Sequence, residues 1–325
     1  MTHDVVCLRP EADFTRAGVK PPPSLAVAYR APGDSDVTKL LANARALVIP
    51  AVGPALDPDL FKDTSLALVQ VTGAGLDRLH APTLKSRGIA VANVPGGSNA
   101  ALAEYAVSTA SFLLRRFGWA DAQIRAGRYT EGRAKLLADN VGGLEGLLVG
   151  VVGMGTIGRA VARAFLNAGC RIAFYDPAPV DASRLGFDAR AMALDDLIAA
   201  ADVLSLHVPL MAETQGLIGA SQLASMKKGA VLVQAARGGI VDERALADSL
   251  GSGHLGGAAV DVYSNEPIAP DNPLLALQGE AASRILFTPH VAGVTRQSAA
   301  YLFRSAWENV ERVVLRGEAP LHRVY

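Results

Sequence analysis

A chain of 325 residues, half of them hydrophobic and 19% charged, can bury two domain cores and is not a disordered polymer. Its 31 basic and 31 acidic residues cancel and no Lys/Arg run occurs, which argues against recruitment to nucleic acid or to an anionic membrane surface. No apolar run approaches the roughly 18 residues that cross a bilayer, and the N-terminus has no basic stretch followed by an apolar one. The two cysteines, Cys7 and Cys170, sit in no C-x-x-C or Cys/His cluster, so the expectation is a cytoplasmic protein with no structural disulfide and no metal.

The first hundred residues alternate short apolar runs with helical patterns. Strands are expected at 4–8, 25–29, 46–49, 66–71 and 89–92, with helices near 37–44, 58–62 and 81–86, which describes a βα domain with a parallel sheet. After the fourth strand comes Gly73-Ala74-Gly75. In an open α/β sheet the ligand crevice lies at the carboxyl ends of the strands, and a glycine-rich loop there offers N–H groups to an anion; a tight turn alone is the competing reading. Ser98 or Asn99 can cap a long helix reaching about Arg116. Its apolar residues fall on more than one side, so it should be buried between domains or subunits. Residues 127–143 are polar and glycine-containing and read as an extended arm or a solvated loop.

The most informative stretch follows. An apolar run at 147–152 leads into Gly153-Met154-Gly155-Thr156-Ile157-Gly158, then a helical pattern, then a strand ending at Tyr175-Asp176. This is the G-x-G-x-x-G spacing in the strand, turn and helix context that gives it meaning. Gly153 permits the turn, Gly155 lets a pyrophosphate approach bare backbone, and Gly158 lets the helix lie against its strand. The helix N-terminus favours phosphate. Asp176 lies close to the expected distance of about 20 residues for a carboxylate on the adenosine ribose. Such a carboxylate repels a 2′-phosphate, so the expected cofactor is NAD. Strands continue at 171–175, 203–207, 230–234, 256–262 and 285–288, with helices at 156–168, 194–200, 221–226 and 243–249. A last helix over 295–315 is long enough to return to the first domain.

Three strand ends in this half carry polar groups: Ala235-Ala236-Arg237-Gly238-Gly239, Asp261-Val262-Tyr263 with Glu266-Pro267, and Thr288-Pro289-His290. All three should open on one edge of the sheet, beside the nicotinamide. An arginine, a glutamate and a histidine there suit a small 2-keto or 2-hydroxy acid. Arg237 can grip a carboxylate with a bidentate fork. His290 can give a proton to a carbonyl being reduced and take it back in oxidation. Glu266 can fix the imidazole tautomer. Each has a structural alternative: a hydrogen-bonding histidine, a helix-capping or phosphate-binding arginine, a solvated glutamate. His207 either lines the cofactor cleft or is structural.

Taken together, Gly-Met-Gly-Thr-Ile-Gly with Asp176, Leu206-His207-Val208-Pro209-Leu210, the block from Ala236 to Leu246, Asp261-Val262-Tyr263 with Glu266-Pro267, and Thr288-Pro289-His290 with Ala292-Gly293 resemble the NAD-dependent D-isomer-specific 2-hydroxyacid dehydrogenases. The resemblance covers most of 145–295 and is looser around Gly73-Ala74-Gly75-Leu76-Asp77 and Asn93-Val94-Pro95-Gly96. It implies a Rossmann doubly wound coenzyme domain, residues 99–294, inserted in a flavodoxin-like substrate domain formed by 1–98 and 295–325. It implies Arg237 on the substrate carboxylate with help from N–H groups of Gly73, Ala74 and Gly75, and Glu266 with His290 as the acid/base pair. Thr156 and Ile157 would lie on the pyrophosphate, and Asp261 near the nicotinamide amide, with His207, Val208, Pro209, Ala235 and Gly293 also along the cofactor. The helix at 99–116 would form a homodimer interface.

Gln234, where many members have Asn, is not expected to touch the chemistry. The chain ends soon after Leu315, which suggests the short form without a regulatory domain. No Arg or Lys lies in the stretch 70–77, so a phosphate-bearing substrate would need Arg78, Arg133 or Lys135, and a glyoxylate- or hydroxypyruvate-like acid is favoured over a phosphoglycerate-like one. Rival readings are an NAD-sensing binding protein of the corepressor type, and oxidation of a small anion such as phosphite or formate by the same arginine.

Overall fold

The computed structural model describes residues 3–325. They fall into two compact units, the residues up to Ser98 together with Val294–Tyr325, and Asn99–Gly293.

The first unit is built on five short strands, β1 (Val5–Cys7), β2 (Val27–Tyr29), β3 (Ala46–Ile49), β4 (Leu68–Val71) and β5 (Ala90–Ala92), with helices α1 (Glu11–Arg16), α2 (Val37–Leu41) and α3 (Ala81–Ser86) among them. Neighbours pair in parallel in the order β2-β1-β3-β4-β5, the flavodoxin-like winding. β1, β3 and β4 are buried along their whole length, which is why β1 and β3 read as unbroken apolar runs and not as alternating ones. The C-terminal helix Arg296–Val314 covers one face. Its Phe303 ring lies 4.7 Å from that of Phe14, and full burial of a Phe side chain contributes roughly 1.5–3 kcal/mol. The buried Asn309 of that helix donates to the side-chain Oε1 of the buried Gln70 in β4 at 2.9 Å, and the Gln70 amide donates in turn to the Val71 carbonyl at 2.8 Å.

The second unit begins with α4 (Asn99–Leu114), α5 (Phe117–Arg125) and α6 (Tyr129–Ala138). It continues as β6 (Leu148–Val152), α7 (Thr156–Asn167), β7 (Arg171–Tyr175), β8 (Arg190–Ala191), α8 (Leu194–Ala200), β9 (Val203–Leu206), α9 (Ala220–Ser225), β10 (Val231–Gln234), α10 (Glu243–Gly251), β11 (Gly257–Val260) and β12 (Ile285–Phe287). The seven strands are parallel and ordered β12-β11-β10-β9-β6-β7-β8. This is the Rossmann winding with its order reversing between β6 and β9, plus an outer strand, β12. α4 sets Ala103, Ala106, Ala110 and Leu113 into the core beneath α7, small side chains that let the two helices come close. Cys7 and Cys170 are buried and free. Burial pushes their thiols up to about 12 and about 11, so both behave as small apolar side chains.

Two local expectations give way. The helix expected to reach Arg116 stops at Leu114; Arg116 takes a left-handed conformation (φ 51°) and α5 starts after it. The stretch 127–143, expected as an arm or loop, contains α6. α5 buries no residue and α6 buries Gly132 alone, so neither sets an apolar face into the core of the unit. Arg116 ties the pair together, with Asp139 at 2.6 Å, Glu280 at 3.0 Å and the Trp119 ring 4.7 Å beneath its guanidinium.

Candidate active site

β6 ends at Val152 and α7 begins at Thr156, so Gly153, Met154 and Gly155 make the turn between them. Gly153 has φ +95°, and a Cβ there would lie 2.7 Å from the His207 carbonyl oxygen. At Gly158 a Cβ would lie 1.9 Å from the Gly153 carbonyl oxygen, so only a glycine lets α7 fold back on its own turn. Gly155 differs, since nothing stands within 4 Å of its missing Cβ. The open space at that position, beside the orphan N–H groups of Thr156 and Ile157 in the first turn of α7, fits a ligand pyrophosphate.

Asp176 follows β7 and accepts from the Met154 N–H at 2.6 Å and the Ala178 N–H at 2.9 Å, which fixes its carboxylate at the turn. Asn99, the first residue of α4, donates to the Thr156 carbonyl at 3.2 Å. His207, Val208 and Pro209 follow β9. The His207 ring is turned inward, with Nε2 2.8 Å from the hydroxyl of the fully buried Ser205. Burial lowers its pKa to about 4, so this ring is neutral and it is the His207 backbone that borders the glycine turn.

The three polar strand ends are neighbours because β10, β11 and β12 are adjacent and parallel. After β10, the Arg237 side chain donates to the Ala236 carbonyl at 2.7 Å and the Gln234 amide donates to the Arg237 carbonyl at 2.8 Å. Gln234 is 2% exposed and its own oxygen accepts from the Ala236 N–H. It therefore shapes the backbone of the Arg237 loop. A Cβ at Gly238 would lie 1.8 Å from the Tyr263 carbonyl oxygen, so this loop touches the next one backbone to backbone.

Glu266 and His290 come together. His290 Nδ1 lies 2.8 Å from Glu266 Oε2, the two side chains being 27% and 30% exposed. The other Glu266 oxygen accepts from the Tyr263 N–H at 3.1 Å. With Nδ1 committed to the carboxylate, Nε2 is the nitrogen left to exchange a proton. His290 sits in the left-handed region at φ 53°, rare for a side chain of this size and a recurrent feature of functional sites. Asp261, 1% exposed, accepts from Thr288 Oγ1 and from the N–H groups of Val291 and Ala292. Gly293 closes the unit.

In the first unit the loop after β4 carries Gly73, Ala74 and Gly75. The Gly73 carbonyl accepts from the Val94 N–H at 2.9 Å and the Ala74 carbonyl from the Asn93 amide at 2.8 Å. The N–H groups of these three residues have no acceptor within the chain among the described residues. Arg78 is 3% exposed, and its guanidinium donates to the carbonyls of Pro54 (2.8 Å) and Pro50 (3.1 Å). Burial lowers its pKa. It is a tie for the loop after β3, not a cation offered to a ligand. Lys135, on α6, pairs with Asp139 at 3.0 Å.

Residues 107–292 match the family model of the D-isomer specific 2-hydroxyacid dehydrogenases, NAD binding domain. The chain belongs to this family. Its second unit is the family's NAD-binding domain, and the open glycine turn described above agrees with that. Over 275 residues, 84% of each chain, it is 38% identical to the (S)-sulfolactate dehydrogenase of Chromohalobacter salexigens. It is 37% identical over 290 residues to the D-3-phosphoglycerate dehydrogenase of Mycobacterium leprae, covering 87% of this chain and 52% of that one; the chain spans about half the length of the phosphoglycerate dehydrogenases it matches. Among solved structures, a D-lactate dehydrogenase from Treponema pallidum superposes with a TM-score of 0.78 at 29% identity over 99% of both chains. Among the described residues of this family member, no helix is long and apolar enough to cross a membrane.

Proposed function

We propose that the protein interconverts a small D-2-hydroxy acid and its 2-keto acid with NAD(H). The observation that carries the reading is the His290–Glu266 contact at 2.8 Å, on the sheet edge that also presents Arg237. NADH, when bound, supplies the hydride. Gly153, Gly155, Thr156, Ile157, Gly158 and Asp176 hold the adenosine half, while the backbone at His207, Val208, Pro209, Ala235 and Gly293, with Asp261, borders the rest.

Arg237 grips the substrate carboxylate through its planar fork. In the reductive direction protonated His290 gives its Nε2 proton to the carbonyl oxygen as that oxygen gains charge. Glu266 keeps the Nδ1–H bond throughout, orienting the ring and stabilising its charged form. The keto acid becomes a hydroxy acid and the imidazole becomes neutral, to be recharged from solvent.

Arg78 supports the choice of substrate class. With that guanidinium spent on Pro50 and Pro54, the stretch 70–78 holds no cation for a phosphate or sulfonate. A glyoxylate- or hydroxypyruvate-like acid is therefore favoured over a phosphoglycerate-like one. The test mixes protein, NADH and a panel of 2-keto acids and follows the reduced cofactor. The wild type should turn over small uncharged-chain acids, and His290→Ala should lose about 10²- to 10⁴-fold in kcat while still binding NADH. No reduction across the panel, with no oxidation of hydroxy acids or small anions by NAD, would sink this reading in favour of an NAD-sensing role.

A further inference from the structure

The loop that carries His290 is held from below by a chain of hydrogen bonds that starts on a different element. The Asp261 carboxylate accepts from Thr288 Oγ1 at 2.6 Å, from the Val291 N–H at 2.8 Å and from the Ala292 N–H at 2.9 Å, and the Asp261 backbone carbonyl accepts from the His290 N–H at 2.8 Å. All four donors belong to 288–292.

The Asp261 oxygen nearest Thr288 also accepts from the Val291 N–H, so the single hydroxyl proton of Thr288 is directed to Asp261, and the Thr288 oxygen is left as an acceptor. Tyr105, on α4, has its hydroxyl 2.8 Å from that oxygen. The order of donation is thereby set: Tyr105 gives to Thr288, and Thr288 gives to Asp261. Burial pushes the phenol up to about 12, so it keeps its proton over the working range. A carboxylate polarises the hydroxyl that donates to it and makes that hydroxyl a better acceptor in turn. The chain ends at His290, which sits in a backbone conformation that its neighbours must impose.

We propose that Tyr105 is a positioning residue for the proton-transfer pair: by donating to Thr288 it locks the Asp261-bound loop and so holds His290 in line with Glu266. Tyr105 belongs to none of the three strand-end loops and not to the glycine turn; its hydrogen bond reaches the site through Thr288 and Asp261. The inference rests on the dehydrogenase reading for its kinetic consequence, while its structural half can be read without turnover.

The experiment compares Tyr105→Phe, Thr288→Val and the double variant in the full-length protein, with Thr288→Ser as the control that retains the hydroxyl. Tyr105→Phe is expected to lower kcat about tenfold, with the keto-acid KM changing less than about threefold. The NADH dissociation constant, from fluorescence titration, should stay at the wild-type value. Thr288→Ser should keep wild-type kcat, and the double variant should be no slower than Thr288→Val, because residues acting as one chain are not additive. In the absence of substrate, amide hydrogen exchange over 288–293 should quicken in Tyr105→Phe, while that of β6 and β9 stays unchanged. Wild-type exchange at 288–293 in Tyr105→Phe overturns the proposal, as does wild-type kcat or a loss in the double variant equal to the product of the single losses. If the wild type reduces no 2-keto acid, it is the dehydrogenase reading that fails, and the exchange comparison still decides whether Tyr105 holds the loop.

Discussion

His207 shows how burial sets what a titratable side chain does. Its folded pKa is lowered to about 4 from the ordinary 6.5 because the ring is desolvated. Between those values the unfolded chain binds a proton that the folded chain refuses, so stability rises with pH there. The contribution is complete above pH 6.5 and is withdrawn as the pH falls towards 4. Thermal unfolding followed across that window should show the wild type losing stability on acidification more steeply than His207→Asn, which has no proton to gain; parallel curves would contradict the assignment. The same residue illustrates where sequence reading stops. A histidine after a strand in a nucleotide-binding fold is compatible both with a ring facing the ligand and with a ring facing inward. What decides between them is Ser205, two residues earlier on the same face of β9, whose buried hydroxyl needs a partner.

At the scale of elements, the turn between β6 and α7 depends on a contact between two of its own glycines. A Cβ at Gly158 would lie 1.9 Å from the carbonyl oxygen of Gly153, and neither backbone group can swing aside as a flexible side chain could. Gly158→Ala should therefore displace α7 from the turn and weaken NADH binding by more than about tenfold, measurable by titration; unchanged affinity would show that the turn relaxes at no cost. This glycine was legible in the sequence because its spacing from Gly153 has a mechanical meaning. So were β3, α3, β7 and α8, whose bounds at 46–49, 81–86, 171–175 and 194–200 agree with their apolar runs and helical periods.

The misses share a cause. α1, α5 and α6 bury little, so periodicity has almost nothing to act on. β8 is two residues long with both side chains exposed, and it exists because β7 offers it an edge. That Glu266 and His290 would come together, on the sheet edge that also carries Arg237, was legible because topology alone puts the ends of β10, β11 and β12 side by side. Tyr105 and Gln234 were not. A tyrosine in an alanine-rich helix and a glutamine at the end of a strand carry no local sign that their polar ends meet loops distant in sequence.

For the whole molecule, the α4 to α6 segment bears on assembly. Phe117, Ile124, Tyr129 and Leu137 are 46%, 54%, 63% and 63% exposed, large apolar side chains left to solvent within one segment, as an association surface would require. We propose a homodimer formed through this segment. Sedimentation should give the mass of two chains for the wild type and of one for an Ile124→Asp, Leu137→Asp variant. A monomeric wild type would remove the proposal.

The inward-facing Arg78 has a consequence for retargeting the protein. Turning it outward to greet a phosphorylated acid would strip the Pro50 and Pro54 carbonyls of their donors and release the loop after β3, so the existing cation cannot be redeployed. Any cation offered to a phosphorylated acid would have to come from a residue other than Arg78.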